Sequence, residues 1–268
     1  MLIHKPFVLP GPSGKLEAVI SPPSGIDKKM VAIVCHPHPL YGGTMNNKVV
    51  TTLCSVINKV GGWALRFNYR GVGASEGSYA DTIGETEDCL AVLDWVKHIT
   101  ADSLLPHGLP REPTGDGDSQ GEPRAPLESP SRELVSRRRN TNRNKYSAPW
   151  GGDIYYQFWL AGFSFGAVIA TQVAAKHSEI KQLITVAPPV NHFDLSIAVN
   201  VRCPWIVVQG GMDELVPAKE VIAWAQTLPA SPELIVLEQA DHFFHGQIIH
   251  LRQQLERALK KTVFTDRH

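Results

Sequence analysis

The chain has 268 residues, 43% of them hydrophobic, which suits one sizeable α/β domain with a substantial core. Its 26 basic and 26 acidic side chains cancel, leaving no bulk charge to draw in nucleic acid or an anionic membrane. No apolar span reaches the roughly 18 residues of a membrane helix, and MLIHKPFVLPGPSG lacks the apolar stretch of a secretory leader, so the expectation is a cytoplasmic protein.

From the N-terminus, PFVLP and KLEAVISPP flank GPSG and read as a hairpin. VAIVCHP (31–37) and WALRFNYRG (63–71) read as strands. Between them NNKVVTTLCSVINKVGG has helical spacing and closes at Gly61. ETEDCLAVLDWVKHI (85–99) is an amphipathic helix with acids in its first turn. YYQFWLAGF, QLITVAPP, PWIVVQGG and ELIVLEQA follow as strands, AKEVIAWAQTL and QIIHLRQQLERALKK as helices. This alternation predicts βαβ units, a mostly parallel sheet with helices on both faces, and a single domain over 1–268.

One segment breaks the rhythm. About 101–149 is rich in Pro, Gly, Ser, Arg and Glu, and its composition predicts a disordered insert. Its basic stretch 131–145 is the one feature compatible with nucleic acid, although a solvated loop is the simpler reading. The insert leaves a helix that runs against the strands, so its ends fall at the edge opposite the chemistry. Cys35, Cys54, Cys89 and Cys203 are scattered through or beside apolar runs without C-x-x-C spacing, as buried reduced thiols would be.

G-x-S-x-G occurs three times, around Ser75, Ser119 and Ser164. A serine nucleophile on such a pattern needs a buried strand immediately before it and a helix immediately after. Ser119 lies in the insert and has neither. Ser75 follows a strand that Gly71 and Gly73 already end, its helix starts only near Thr82 to Glu85, and it reads as a structural loop residue. GVGASEG also approaches a dinucleotide glycine loop, but its last glycine is one place late. Ser164 has the strand IYYQFWLAGF before it and the small, apolar helix GAVIATQVAAKH after it. Gly162 and Gly166 remove Cβ atoms where the two elements meet.

Functional groups of an open parallel sheet gather beyond the carboxyl ends of its strands. Asp213, in GMDELVP after PWIVVQG, lies there. So does His242, in ADHFFHG after ELIVLEQ. Glu238 and Asp241 adjoin His242 too closely in sequence to orient its ring, and His245 falls where the last helix begins.

CHPHPLYGGTMNNKVV (35–50), RFNYRGVGASEG (66–77), LAGFSFG (160–166), QGGMDELVP (209–217) and ADHFFHG (240–246) together resemble small, uncapped bacterial α/β-hydrolases related to the dienelactone hydrolase-like esterases. The resemblance spans the chain except about 101–149, and implies a serine hydrolase with Ser164, Asp213 and His242 as its triad. Members of that group usually join the helix to the nucleophile strand by a short link, so the insert is a departure.

On this reading Ser164 attacks a short or compact ester. One backbone N–H of the oxyanion hole comes from Phe165, the other from the loop HPHPLYGG, where Pro37 and Pro39 have none. His38 is favoured and Leu40 is next. Tyr41, Phe163, Phe165 and Phe243 are expected to wall the pocket. His36 and His38 share a face at i, i+2, but no third ligand is evident, so neither metal nor cofactor is expected. VNHFDLSIAVNVR is too short to carry a helical cap, which leaves an open site. The expected partner is a small-molecule ester substrate, and the protein is expected to be a monomer or homodimer. A thioesterase or amidase would use the same triad, and a non-catalytic binding protein on the same fold is the reading from another class.

Overall fold

Strand alternation divides the apolar residues between two faces. In β3 (Met30–Cys35), Val31, Ile33 and Cys35 join one buried cluster, and Met30, Ala32 and Val34 join the other. Every residue of β3 and of β9 (Trp205–Gly210) is buried, as expected for parallel strands covered on both sides. The computed structural model describes residues 4–98 and 156–265, together with the short strands β5 (Tyr146–Ser147) and β6 (Asp153–Ile154), which pair antiparallel. The rest of the predicted insert, including Ser119 and 131–145, lies outside the described residues.

The main sheet has eight strands in the order β1-β2-β4-β3-β7-β8-β9-β10. β1 (Phe7–Gly11) and β2 (Gly14–Ser21) form the expected hairpin, and β2 runs antiparallel to β4 (Trp63–Phe67). From β4 through β3, β7 (Gln157–Phe163), β8 (Ile180–Val186), β9 and β10 (Glu233–Leu237) all pairings are parallel.

Helices cover both faces. Against one face α1 (Lys48–Lys59) packs Leu53 and Ile57 beside Leu251 and Leu255 of α5 (Ile248–Thr265). Against the other lie α2 (Ile83–His98), α3 (Phe165–Lys176) and α4 (Ala218–Gln226), through residues such as Val92, Ile169 and Val221. α1 starts where the Asn47 side chain accepts the Val49 N–H at 2.8 Å, and the chain leaves it through Gly61 at φ +101°. α5 continues past Lys261, where the apolar repeat of the sequence ends. Among the described residues no helix is long and apolar enough to cross a membrane.

Chain order reverses across the sheet between β3 and β7. From β3 the chain proceeds outward to β4, whereas from β7 it proceeds to β8, β9 and β10 on the other side. Loops leaving β3 and β7 at their carboxyl ends therefore diverge and open a crevice. The loop after β3 begins at His36, and Ser164 follows β7 directly.

Candidate active site

Ser164 occupies the one-residue junction between β7 and α3, with φ +53° and ψ −120°. A non-glycine residue persists in that backbone region only where its surroundings hold it. The surroundings are tight. A Cβ on Gly162 would lie 2.1 Å from the Gly166 carbonyl oxygen, and one on Gly166 would lie 2.3 Å from the Cys35 carbonyl oxygen of β3. The two glycines thus let strand, helix and neighbouring strand converge beneath the serine. Its side chain makes no capping hydrogen bond to α3 and is free to face the crevice.

His242 approaches from the loop after β10, its Nε2 3.0 Å from Ser164 Oγ. Its Nδ1 lies 2.8 Å from Asp213 Oδ2, and His242 is buried, at 3% exposure. Asp213 sits in the loop after β9, where Leu215 and Val216 donate their N–H groups to Oδ1 at 2.9 and 2.7 Å, and Gln209 Nε2 donates to Oδ2 at 2.9 Å. Burial opposes the charge of Asp213. The hydrogen bonds from His242, Val216 and Leu215 outweigh it and hold the carboxyl below its ordinary range. The carboxylate thus fixes the tautomer with the proton on Nδ1, leaving Nε2 to accept the Ser164 hydroxyl proton. Asp241 is engaged elsewhere, with exposed His245 at 2.7 Å, and Glu238 is exposed. The three residues read from sequence are brought together and their rivals are not.

The loop after β3 is pinned from below and exposed above. His36 is completely buried, with Nδ1 2.7 Å from the Pro37 carbonyl and Nε2 accepting the Tyr69 N–H at 3.1 Å. With one nitrogen donating and the other accepting, its imidazole has no lone pair left for a metal. Burial pushes its pKa down to about 3. His38 begins a short 3-10 turn, Pro39–Tyr41, and its Nδ1 accepts the Leu40 N–H at 3.2 Å. Tyr41 and Gly43 donate to the His38 carbonyl, and Gly42 donates to that of Pro39. The backbone N–H of His38 has no acceptor among the described residues. Phe165 is the first residue of α3, where an N–H has no intrahelical acceptor. Leu40, the other sequence candidate for a donor, does not face the cavity: its N–H is used within the turn and its side chain is 66% exposed.

A cavity of about 430 Å³ lies over Ser164. Of the expected wall residues, Tyr41 and Phe165 border it, Phe165 at only 1% exposure. Phe163 does not. Alternation along β7 sends it, with Trp159 and Ala161, into the α1/α5 face, where it is fully buried and backs His242 with ring centroids 5.3 Å apart. Phe243 is 41% exposed and packs edge-on to His242 outside the cavity. The walls that sequence reasoning missed are Pro189, His192 and Phe193 after β8, with Leu215 and Val216 of the acid loop. Their signal was the position of PPVNHF just beyond the carboxyl end of a strand. Asn191 Nδ2 and His192 Nε2 bond the Leu215 carbonyl at 3.2 and 3.3 Å, which ties the two walls together. Ser75 is structural, accepting the Glu17 N–H at 2.9 Å and donating to the Asn68 carbonyl at 2.8 Å.

A mostly parallel eight-stranded sheet with a strained serine at the β7–α3 junction, and no cap among the described residues, defines the α/β-hydrolase fold. The chain belongs to the dienelactone hydrolase family, whose profile matches residues 117–262. It is 37% identical to an α/β serine hydrolase homologue from Coxiella burnetii, over 97% of this chain and 99% of that one, with a TM-score of 0.74. It is 30% identical to a structure from Xanthomonas campestris described as an α/β serine hydrolase without a lid, over 97% and 95% of the two chains, with a TM-score of 0.72. An uncharacterized protein of Rickettsia prowazekii is 29% identical over 87% of this chain and 79% of its own length. Family and neighbours make the chain a hydrolase.

Proposed function

We propose that the protein cleaves carboxylic esters through an acyl-enzyme on Ser164. The observation that carries the reading is the continuous chain Ser164 Oγ, His242 Nε2, His242 Nδ1, Asp213 Oδ2, with links of 3.0 and 2.8 Å, at the floor of an open cavity. In the first half-reaction Ser164 Oγ bonds to the ester carbon and its proton passes to His242 Nε2. The ester C–O bond then breaks, and that proton goes to the leaving alkoxide. In the second half-reaction His242 takes a proton from water, the hydroxide adds to the acyl carbon, and the bond to Oγ breaks as the proton returns to the serine. Asp213 stabilises the imidazolium of each step. The oxyanion is met by the backbone N–H groups of Phe165 and His38.

Initial rates on a short-chain nitrophenyl ester test this. Ser164→Ala is expected to lose about 10⁴-fold or more in kcat, and Asp213→Asn about 10³- to 10⁴-fold through the wrong imidazole tautomer. Rates within tenfold of wild type in Ser164→Ala would rule the mechanism out.

A further inference from the structure

We propose that the substrates of this site are esters whose acyl group carries a flat aromatic ring. The inference rests on the hydrolase reading above and adds the substrate class. The cavity over Ser164 is bounded by rings from three separate segments: His38 and Tyr41 after β3, Phe165 at the start of α3, and Phe193 after β8. They stand at steep mutual angles around Phe165. His38 lies 4.8 Å from it, centroid to centroid, at 52°, and Phe193 lies 5.6 Å from it at 71°. Tyr41 tilts against His38 at 4.7 Å and 54°. Phe165 is almost fully buried beneath this cluster, so the aromatic surface left on the cavity wall is that of His38, Tyr41 and Phe193, against which a bound ring can make the offset-stacked or edge-to-face contacts that aromatic pairs favour. A site for a flexible alkyl chain requires no such convergence.

His38 is held so that it serves as a ring rather than as a charge. Its Nδ1 accepts the Leu40 N–H, and its Nε2 lies 3.3 Å from the Tyr79 hydroxyl, which in turn donates to Asp81 Oδ1 at 3.3 Å. With both nitrogens engaged, and with Tyr41, Tyr79 and Phe165 packed around the ring at 4.7, 5.2 and 4.8 Å, the imidazole presents the cavity with ring surface and no free nitrogen. Burial also lowers its pKa, so the face stays neutral; the Asp81 charge offsets this only in part. Asp81 and Thr82 are consecutive non-glycine residues in left-handed backbone, at φ +48° and +70°. Strain of that kind persists where the surroundings fix a particular placement, here that of the Asp81–Tyr79–His38 chain.

The acyl side follows from the arrangement of the reacting groups. The ring cluster centres on His38 and Phe165, whose N–H groups the mechanism proposed above assigns to the oxyanion. His242, which must serve the leaving oxygen, is backed by Phe163 and flanked by Phe243, both outside the cavity.

The test compares kcat/KM for methyl 3-phenylpropanoate against methyl hexanoate, and for benzyl acetate against ethyl acetate, with fluorophosphonate labelling of Ser164 run in parallel. The first ratio is expected to favour the aryl ester by about tenfold, the scale of well-made ring contacts, with the second near unity. In Phe193→Leu the first ratio should collapse to within about twofold, because a leucine offers no ring face. A labelled enzyme that hydrolyses both methyl esters equally, or prefers only the aryl alcohol, overturns the aromatic-acyl assignment and leaves the hydrolase reading standing. An unlabelled protein inactive on all four esters overturns both.

Discussion

His36 shows how a single side chain can set the pH range of the fold. Its ring is packed 4.3 Å from Tyr69 and both nitrogens are bonded to backbone, so the folded state accepts a proton only near pH 3. An unfolded histidine accepts one near 6.5. Between those values the unfolded chain binds the extra proton, so the contribution of His36 is fully present above 6.5 and is lost as pH drops. The loss is about 2 kcal/mol between pH 6.5 and pH 5. Urea midpoints at the two pH values are expected to separate by less in His36→Gln than in wild type, since Gln supplies an acceptor that does not titrate. Equal separations would remove His36 as the cause. Ser164 is the complementary case, a residue whose backbone strain is offset by the packing beneath it.

At the scale of elements, the β7–α3 junction and the loop after β4 divide two serines of identical local pattern. Gly166→Ala puts a Cβ 2.3 Å from the Cys35 carbonyl of β3, a backbone atom that cannot rotate away. A loss of about 3 kcal/mol or more in urea unfolding is expected, at or beyond the upper end of overpacking costs. Ser75→Ala instead breaks the two hydrogen bonds that tie its loop to β2 and to Asn68, with a cost of about 1–3 kcal/mol. Its hydrolytic rate is expected to stay within about threefold, because Ser75 shares no partner with the site. Ser164, Asp213 and His242 were legible in the sequence because each follows a strand whose carboxyl end locates it. Leu40 was misread because its N–H is taken by the side chain of the turn's own first residue, a bond that no spacing reveals. Phe163 was misread against an available signal, since alternation from Trp159 and Ala161 already sends it inward. Phe193 is not legible from spacing, because a segment too short to form a lid can still supply a wall and only its loop conformation shows which way the ring turns.

At the scale of the whole molecule, the site exists because the reversal of chain order between β3 and β7 opens a crevice, and five strand ends bring their loops to it: β3 with His38, β7 with Ser164, β8 with Phe193, β9 with Asp213 and β10 with His242. The connection from β8 to β9 contributes only the short 3-10 helix Ser196–Asn200 and the wall around Phe193, so nothing in it covers the cavity. Strand and helix placement were legible from apolar periodicity, while the order of strands in the sheet and the lining of the pocket depended on pairing and loop conformations that periodicity does not encode. The central claim is that one serine of the three is the nucleophile. Treatment with a fluorophosphonate probe followed by peptide mass mapping tests it most directly. A single adduct on the peptide containing Ser164, in wild type and in Ser75→Ala, and no adduct in Ser164→Ala, is the predicted result; labelling that persists in Ser164→Ala would contradict it.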